Sequence, residues 1–143
     1  MKDCGEAFHG KHLSHAISYI TDAGKTQGGR LIDGVNCIPA LAFEQMKDTK
    51  RKYGKPDKRQ GYHLIISFKE NEVTQDTAME LTSRFVKEYL GSEYEAVYAV
   101  HDNTRHIHAH IIFNSVSFLT GKKYRYEKGD GPEILREGKG ELQ

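Results

Sequence analysis

The sequence predicts an α+β domain, an antiparallel β-sheet with helices packed on one face. Three observations carry this prediction. The segments YEAVYAVH (94–101) and HIHAHIIFNSV (106–116) both have strand character, and only a short polar connection separates them. They therefore pair as an antiparallel hairpin, because a crossover would need a much longer link. Elsewhere, apolar residues recur at helical spacing on either side of a third strand, and helices mixed with antiparallel strands in this order define the α+β class.

Each element follows from its own residues. From His12 to Thr21, Leu13, Ala16, Ile17 and Ile20 keep the i, i+3, i+4, i+7 spacing of one buried stripe, which predicts a helix. A second line along it stacks His12, His15 and Tyr19. Asp22 to Gly29 is a glycine-rich turn carrying Lys25 and Thr26. Pro39 suits a first helical position, and a second helix runs from there through Ala42, Phe43 and Met46 toward Gly54. YHLIISF (62–68) is a strand with Tyr62, Leu64, Ile66 and Phe68 on one face and His63, Ile65 and Ser67 on the other. Thr74 then caps a helix expected to bury Ala78, Leu81, Phe85 and Tyr89, and Gly91 ends it.

At 143 residues, 37% hydrophobic and 29% charged, the chain fits one globular domain. No apolar run approaches the roughly 20 residues of a membrane span. The N-terminus lacks the apolar core of a signal peptide. Cys4 and Cys37 stand far apart in no metal-binding pattern, which points to a reducing cytoplasm. A net charge of +1 excludes the bulk positive field of a general nucleic-acid binder, yet the positive charge is unevenly spread. Lys50, Arg51, Lys52 and Arg59 lie in a basic run between Lys47 and Arg59. A second segment interleaves Lys122, Lys123 and Arg125 with Tyr124 and Tyr126. Cations that track phosphates beside rings that stack bases suit single-stranded nucleic acid.

The densest chemistry lies in HDNTRHIHAHIIFN, which holds four of the eight histidines. His106, His108 and His110 alternate along a strand and so share one face. The hairpin brings His101 to them, since opposed residues hold their Cβ atoms about 5 Å apart. A four-residue loop sets His101 opposite His106 and diagonal to His108. A six-residue loop sets it opposite His108 and diagonal to His110. Either register offers three imidazoles to one divalent ion and leaves coordination positions open, as in catalytic sites. Such an ion acts on phosphate oxygens as a Lewis acid, and Tyr19 is a candidate nucleophile.

At these residues the chain resembles the conjugative and mobilisation relaxases of the HUH endonuclease superfamily. Their third motif has the form His-x-Asp-x4-His-x-His followed by apolar residues and Asn. The resemblance continues through AISYITDAGKT, GVNCIPALAFEQMKDTK, YHLIISF and FNSVSFLTGKKYRY, and covers most of the chain. It implies a palm-type fold and metal ligation by His101, His108 and His110, with His106, His63, Asp22 and Asn114 as supporting residues. It further implies that Tyr19 attacks a DNA phosphate at a transfer origin, leaving a 5′-phosphotyrosyl link and a free 3′-hydroxyl. Lys25 and the two basic segments would hold the DNA. The implied cofactor is Mg2+ or Mn2+, with Zn2+ compatible. The implied partners are single-stranded DNA, relaxosome accessory proteins and a coupling protein in the bacterial cytoplasm.

Three departures qualify the match. Position 103 is Asn where the motif has Asp, and Asp102 falls one residue early. The polar start MKDCGEAFHGKH leaves little room for a strand before the first helix. The nuclease domain is expected to span 1–128, with GPEILREGKGELQ ending the chain in a loosely ordered tail over 129–143, as a C-terminal truncation would. A truncated relaxase that binds DNA or metal without cutting is the alternative. A replication initiator or transposase of the same superfamily is another.

Overall fold

The computed structural model describes residues 12–56, 59–125 and 133–135. The expected absence of a strand before the first helix lies outside them. Helix α1 (Leu13–Ile20) is followed by a 3-10 turn at Ala23–Lys25 and by strand β1 (Ile32–Val35). A second 3-10 turn at Pro39–Leu41 leads into α2 (Ala42–Lys52). Then come β2 (Gly61–Ser67), α3 (Gln75–Tyr89), β3 (Ala96–His101), β4 (His108–Asn114) and β5 (Glu133–Leu135). The five strands form one sheet in the order β1-β3-β4-β2-β5, with every pairing antiparallel.

Helix α1 buries Leu13, Ala16, Ile17 and Ile20, the stripe read from spacing. The hairpin of β3 and β4 forms as expected, and its register pairs His101 with His108 and Ala99 with His110. That is the six-residue alternative. A hydrogen bond from the Phe68 amide to the Ile107 carbonyl (2.9 Å) ties the loop to the end of β2.

The sheet is antiparallel as expected, but its helices divide between two faces where one covered face was expected. Helices α1 and α2 pack with Val97, Ala99 and Ile112 on one side. Helix α3 packs with Ala96, Tyr98, Ile111 and Phe113 on the other. The cause lies in β3, which carries apolar residues on both sides of the pleat, and in the burial of β3 and β4 at every position.

Helix α3 is capped by Thr74, whose hydroxyl accepts from the Thr77 amide at 3.1 Å. Its buried stripe is Ala78, Thr82 and Val86, while Leu81 and Tyr89 are exposed and Phe85 is half-buried. Thr82 can occupy the core because its hydroxyl donates to the Ala78 carbonyl at 2.7 Å. At Gly91 a Cβ would meet the Lys87 carbonyl oxygen at 2.5 Å, so only glycine lets the chain turn off the helix there. Within the segment expected to be a loose tail, Glu133–Leu135 forms β5, and Leu135 is fully buried in the core shared with α1 and α2. The rest of that segment lies outside the described residues.

Candidate metal centre and nucleic-acid interface

Three strand positions place the histidines. His101 ends β3, while His108 and His110 lie on β4, all on the face covered by α1. All three are buried, and one ligating atom from each lies within 4.8 Å of the others. Ring centroids are 4.3 Å apart for His101 and His110, 5.5 Å for His101 and His108, and 5.2 Å for His108 and His110.

Each ring is held through one nitrogen. His101 Nε2 donates to the Ile20 carbonyl at 2.9 Å, so the last turn of α1 orients it. His108 Nδ1 donates to the His106 carbonyl at 2.9 Å. His110 Nδ1 lies 2.9 Å from Nε2 of His63, which stands on β2 on the same face of the sheet. Among the described residues, His101 Nδ1 and His110 Nε2 are buried without a hydrogen-bond partner. Two orphaned ring nitrogens in a triad whose rings are each held through the opposite nitrogen fit a divalent ion.

Electrostatics favours the ligating form. Burial pushes His63 and His101 down to about 4, helped for His63 by the neighbouring His101. Burial drives His110 down furthest, with His101, His63 and His108 adding to it. These imidazoles are therefore neutral near pH 7, each with a lone pair to offer.

Tyr19 lies half-buried against this cluster. Its ring centroid is 5.8 Å from that of His101 and 6.0 Å from that of His110, both edge-on. Lys25 Nζ sits 5.1 Å from the Tyr19 ring centre and 3.2 Å from Asp22 Oδ2. That lysine holds the Asp22 carboxyl below its usual range. Farther along the helix line, His12 and His15 face each other, Nδ1 to Nδ1 at 3.3 Å.

Asp102, out of step with the motif, has a clear structural place. Its carboxylate accepts from Gln27 Nε2 (2.5 Å) and Gln75 Nε2 (3.0 Å). Arg30 in turn bonds Gln27 Oε1 and pairs with Asp76 at 2.8 Å. Asp102 thus clamps the turn that carries Lys25 to the start of α3. Gln27, at φ +55°, is in the left-handed region and is held there by these bonds. Sequence reading had no signal for this clamp, because its parts are far apart in the chain.

Other expected site residues fall elsewhere. Asn114 is four residues from His110 along β4, about 13 Å at strand spacing. Its side chain donates to the Met46 carbonyl (3.1 Å) and Glu95 Oε1 (2.7 Å) and accepts from Lys50 Nζ (2.7 Å). It therefore anchors α2 to the sheet and does not support the histidines directly. Lys50, expected on the DNA-binding surface, is 1% exposed and also donates to the Gln60 carbonyl at 2.9 Å. Its spacing from Ala42 and Met46 puts it on the buried stripe, a signal present in the sequence. Glu95, just before β3, completes this network by accepting from Thr49 at 2.7 Å, and burial raises its pKa. Tyr124 packs against Tyr62, Tyr94 and Phe113 and shares a 2.6 Å hydroxyl contact with Tyr89, so it belongs to the core edge and not to a stacking surface. His106 is exposed, and it serves the cluster through its backbone carbonyl.

Arg51, Lys52, Arg59, Lys122, Lys123 and Arg125 are exposed. The two basic segments adjoin, because Tyr53 Oη donates to the Phe118 carbonyl at 3.0 Å and Lys55 Nζ to the Gly121 carbonyl. Gly121, at φ +77°, leaves the space that the Tyr53 ring fills. Two stretches distant in sequence thus make one positive region.

A histidine triad on an antiparallel sheet, with a tyrosine ring set against it, defines a class of α+β domain suited to hold a divalent ion beside a phenol. The chain belongs to the relaxase family: the model of the MobA/VirD2-like relaxase nuclease domain matches residues 19–137. It is 34% identical over 118 residues to a protein named rlx from Staphylococcus aureus, covering 82% of this chain and 34% of that one. It is 29% identical to the group II intron-interrupted relaxase LtrB of Lactococcus lactis, covering 81% of this chain and 25% of that one. It is 30% identical to TraI of Escherichia coli over 73% of this chain and 15% of that one. The chain thus spans about a third or less of the length of these relatives. No solved structure matches it significantly. Among the described residues, no helix is long and apolar enough to cross a membrane.

Proposed function

We propose that this domain nicks single-stranded DNA at a transfer origin by tyrosine transesterification, with a divalent ion held by His101, His108 and His110. The observation that carries this reading is the Tyr19 ring packed edge-on against two of three clustered, buried histidines. Tyr19 Oη forms a bond to the scissile phosphorus while the bond from phosphorus to the 3′-oxygen breaks. The phenol proton passes to solvent, and the departing oxygen takes one up as a 3′-hydroxyl. The phosphodiester energy is kept in the tyrosyl link, ready for rejoining.

The ion, when bound, stabilises charge developing on the phosphate oxygens. Three imidazoles accept Mn2+ or Zn2+ readily, whereas Mg2+ prefers oxygen ligands. His63 fixes the His110 ring, Ile20 and His106 fix the other two through their carbonyls, and Lys25 adds positive charge beside Tyr19. The adjoining basic segments bind the strand away from the cut. In this reading the protein works in the bacterial cytoplasm with relaxosome accessory proteins and a coupling protein.

The test is a labelled single-stranded oligonucleotide spanning the transfer origin of the parent element, incubated with Mn2+. A denaturation-resistant adduct is expected from the parent protein and none from Tyr19→Phe. The same adduct from Tyr19→Phe refutes the reading.

A further inference from the structure

The exposed cations of the two basic segments ride on backbone that converges on one buried side chain. Asn114, fully buried at the end of β4, accepts from Lys50 Nζ on its Oδ1 at 2.7 Å. Its Nδ2 donates to Glu95 Oε1 at 2.7 Å, so it stands as a relay between a buried cation and a buried acid.

Three branches lead from this node to the surface. Lys50 lies in the last turn of α2, immediately before the exposed Arg51 and Lys52, and its carbonyl accepts from the Lys55 amide at 2.8 Å. Ser115, whose amide donates to Asn114 Oδ1 at 2.9 Å, sends its hydroxyl to the Arg59 carbonyl at 2.9 Å. The Ser115 carbonyl accepts from the Tyr124 amide at 2.8 Å, between Lys123 and Arg125. Anchorage alone does not call for this chemistry, because apolar side chains of similar volume would pack α2 on the sheet without the cost of burying charge. What the hydrogen bonds add is direction: this set of donors and acceptors is satisfied in one alignment, whereas apolar surfaces can slide.

We propose that Asn114 is a positioning residue for the nucleic-acid interface. It aligns Arg51, Lys52 and Arg59 against Lys122, Lys123 and Arg125, and so sets how many of these cations meet the phosphates of one strand at once. Being fully buried, it acts through Lys50 and Ser115. The inference rests on the reading that these segments hold DNA.

Three variants test it. Asn114→Leu removes the relay without changing net charge. Asn114→Asp sets an oxygen against Glu95 Oε1 and the Met46 carbonyl. Adding Glu95→Gln turns the first of these clashes into a bond, since the glutamine amide donates to the new carboxylate while its oxygen still accepts from Thr49, and net charge returns to that of the parent. Affinity for a labelled oligothymidylate is read by anisotropy in chelator, with folding checked by circular dichroism. Binding should weaken about tenfold in Asn114→Leu and in Asn114→Asp, the salt slope of Asn114→Leu should fall by about two, and the double variant should bind within about twofold of the parent. If Asn114→Leu does not fold, Asn114→Asp with and without Glu95→Gln carries the test. A folded Asn114→Leu with parental affinity and salt slope marks a purely structural anchor and overturns the proposal, as does a double variant no tighter than Asn114→Asp alone. A parent that does not bind the oligonucleotide refutes the interface reading itself, an outcome distinct from a parent that binds and variants that bind equally.

Discussion

Lowering the pH should unfold the metal-free domain early, and the size of the effect follows from the buried imidazoles. His63 and His101 titrate at about 4 in the folded protein against an ordinary value near 6.5, so between these limits the unfolded chain binds more protons. Stability therefore rises with pH across this window and is lost as pH falls below about 6.5. At about pH 5 each imidazole costs about 2 kcal/mol, so the two together cost about 4 kcal/mol. His110, driven down further, adds to the loss in the same direction. Against a usual total of about 5–15 kcal/mol this is a large fraction. Urea unfolding in chelator at about pH 7.5 and about pH 5 reads it directly as a shift in midpoint. A His63→Gln variant should flatten the pH slope by about 2 kcal/mol. Equal midpoints for the parent at both pH values refute the claim that these rings are held neutral and sequestered.

Three further outcomes are expected. Adding Mn2+ at about a hundredfold over its dissociation constant should stabilise the parent by about 3 kcal/mol, and Ala at His101 or His110 should abolish the gain in a thermal melt. Lys50→Ala should cost about 3 kcal/mol in urea unfolding by removing the two buried charged hydrogen bonds to Asn114 Oδ1 and the Gln60 carbonyl, whereas Arg51→Ala and Lys52→Ala should leave stability alone and each lower the salt slope of DNA binding by about one. Asp102→Ala, which releases Gln27 and Gln75, should speed amide exchange across residues 23–30 and slow adduct formation severalfold at unchanged DNA affinity; unchanged exchange counts against the clamp.

Much of this arrangement was legible in the chain because it is local. The stripe of α1, the alternation in β4 and the short hairpin link each lie within a dozen residues or so, and together they predict a helix carrying Tyr19 and a histidine cluster on one strand face, while only the family resemblance implied that the two meet. The residue count left two registers open, and the contact between Phe68 and Ile107, which spans two elements, decides between them. Strand β1 escaped because IDGV is short and broken by Asp33 and Gly34, so its pairing with β3 supplies what its pattern lacks. Lys50 misled because a charge inside a basic run suggests solvent, while a buried side-chain amide oxygen and a backbone carbonyl make the interior habitable for it. Asp102 was visible as a departure from the motif, but its partners on the turn and on α3 were not.

The short strand β5 carries a consequence for engineering. In the order β1-β3-β4-β2-β5 it covers the outer rim of β2, where Gly61, Tyr62 and His63 would otherwise present unpaired amides and carbonyls. His63 is thereby splinted by backbone pairing with Glu133, and it is the residue that steadies His110. Trimming the chain before Leu135 would leave an adhesive rim that invites self-association and would loosen a histidine far away in sequence. The shortest useful version of this domain keeps those three residues.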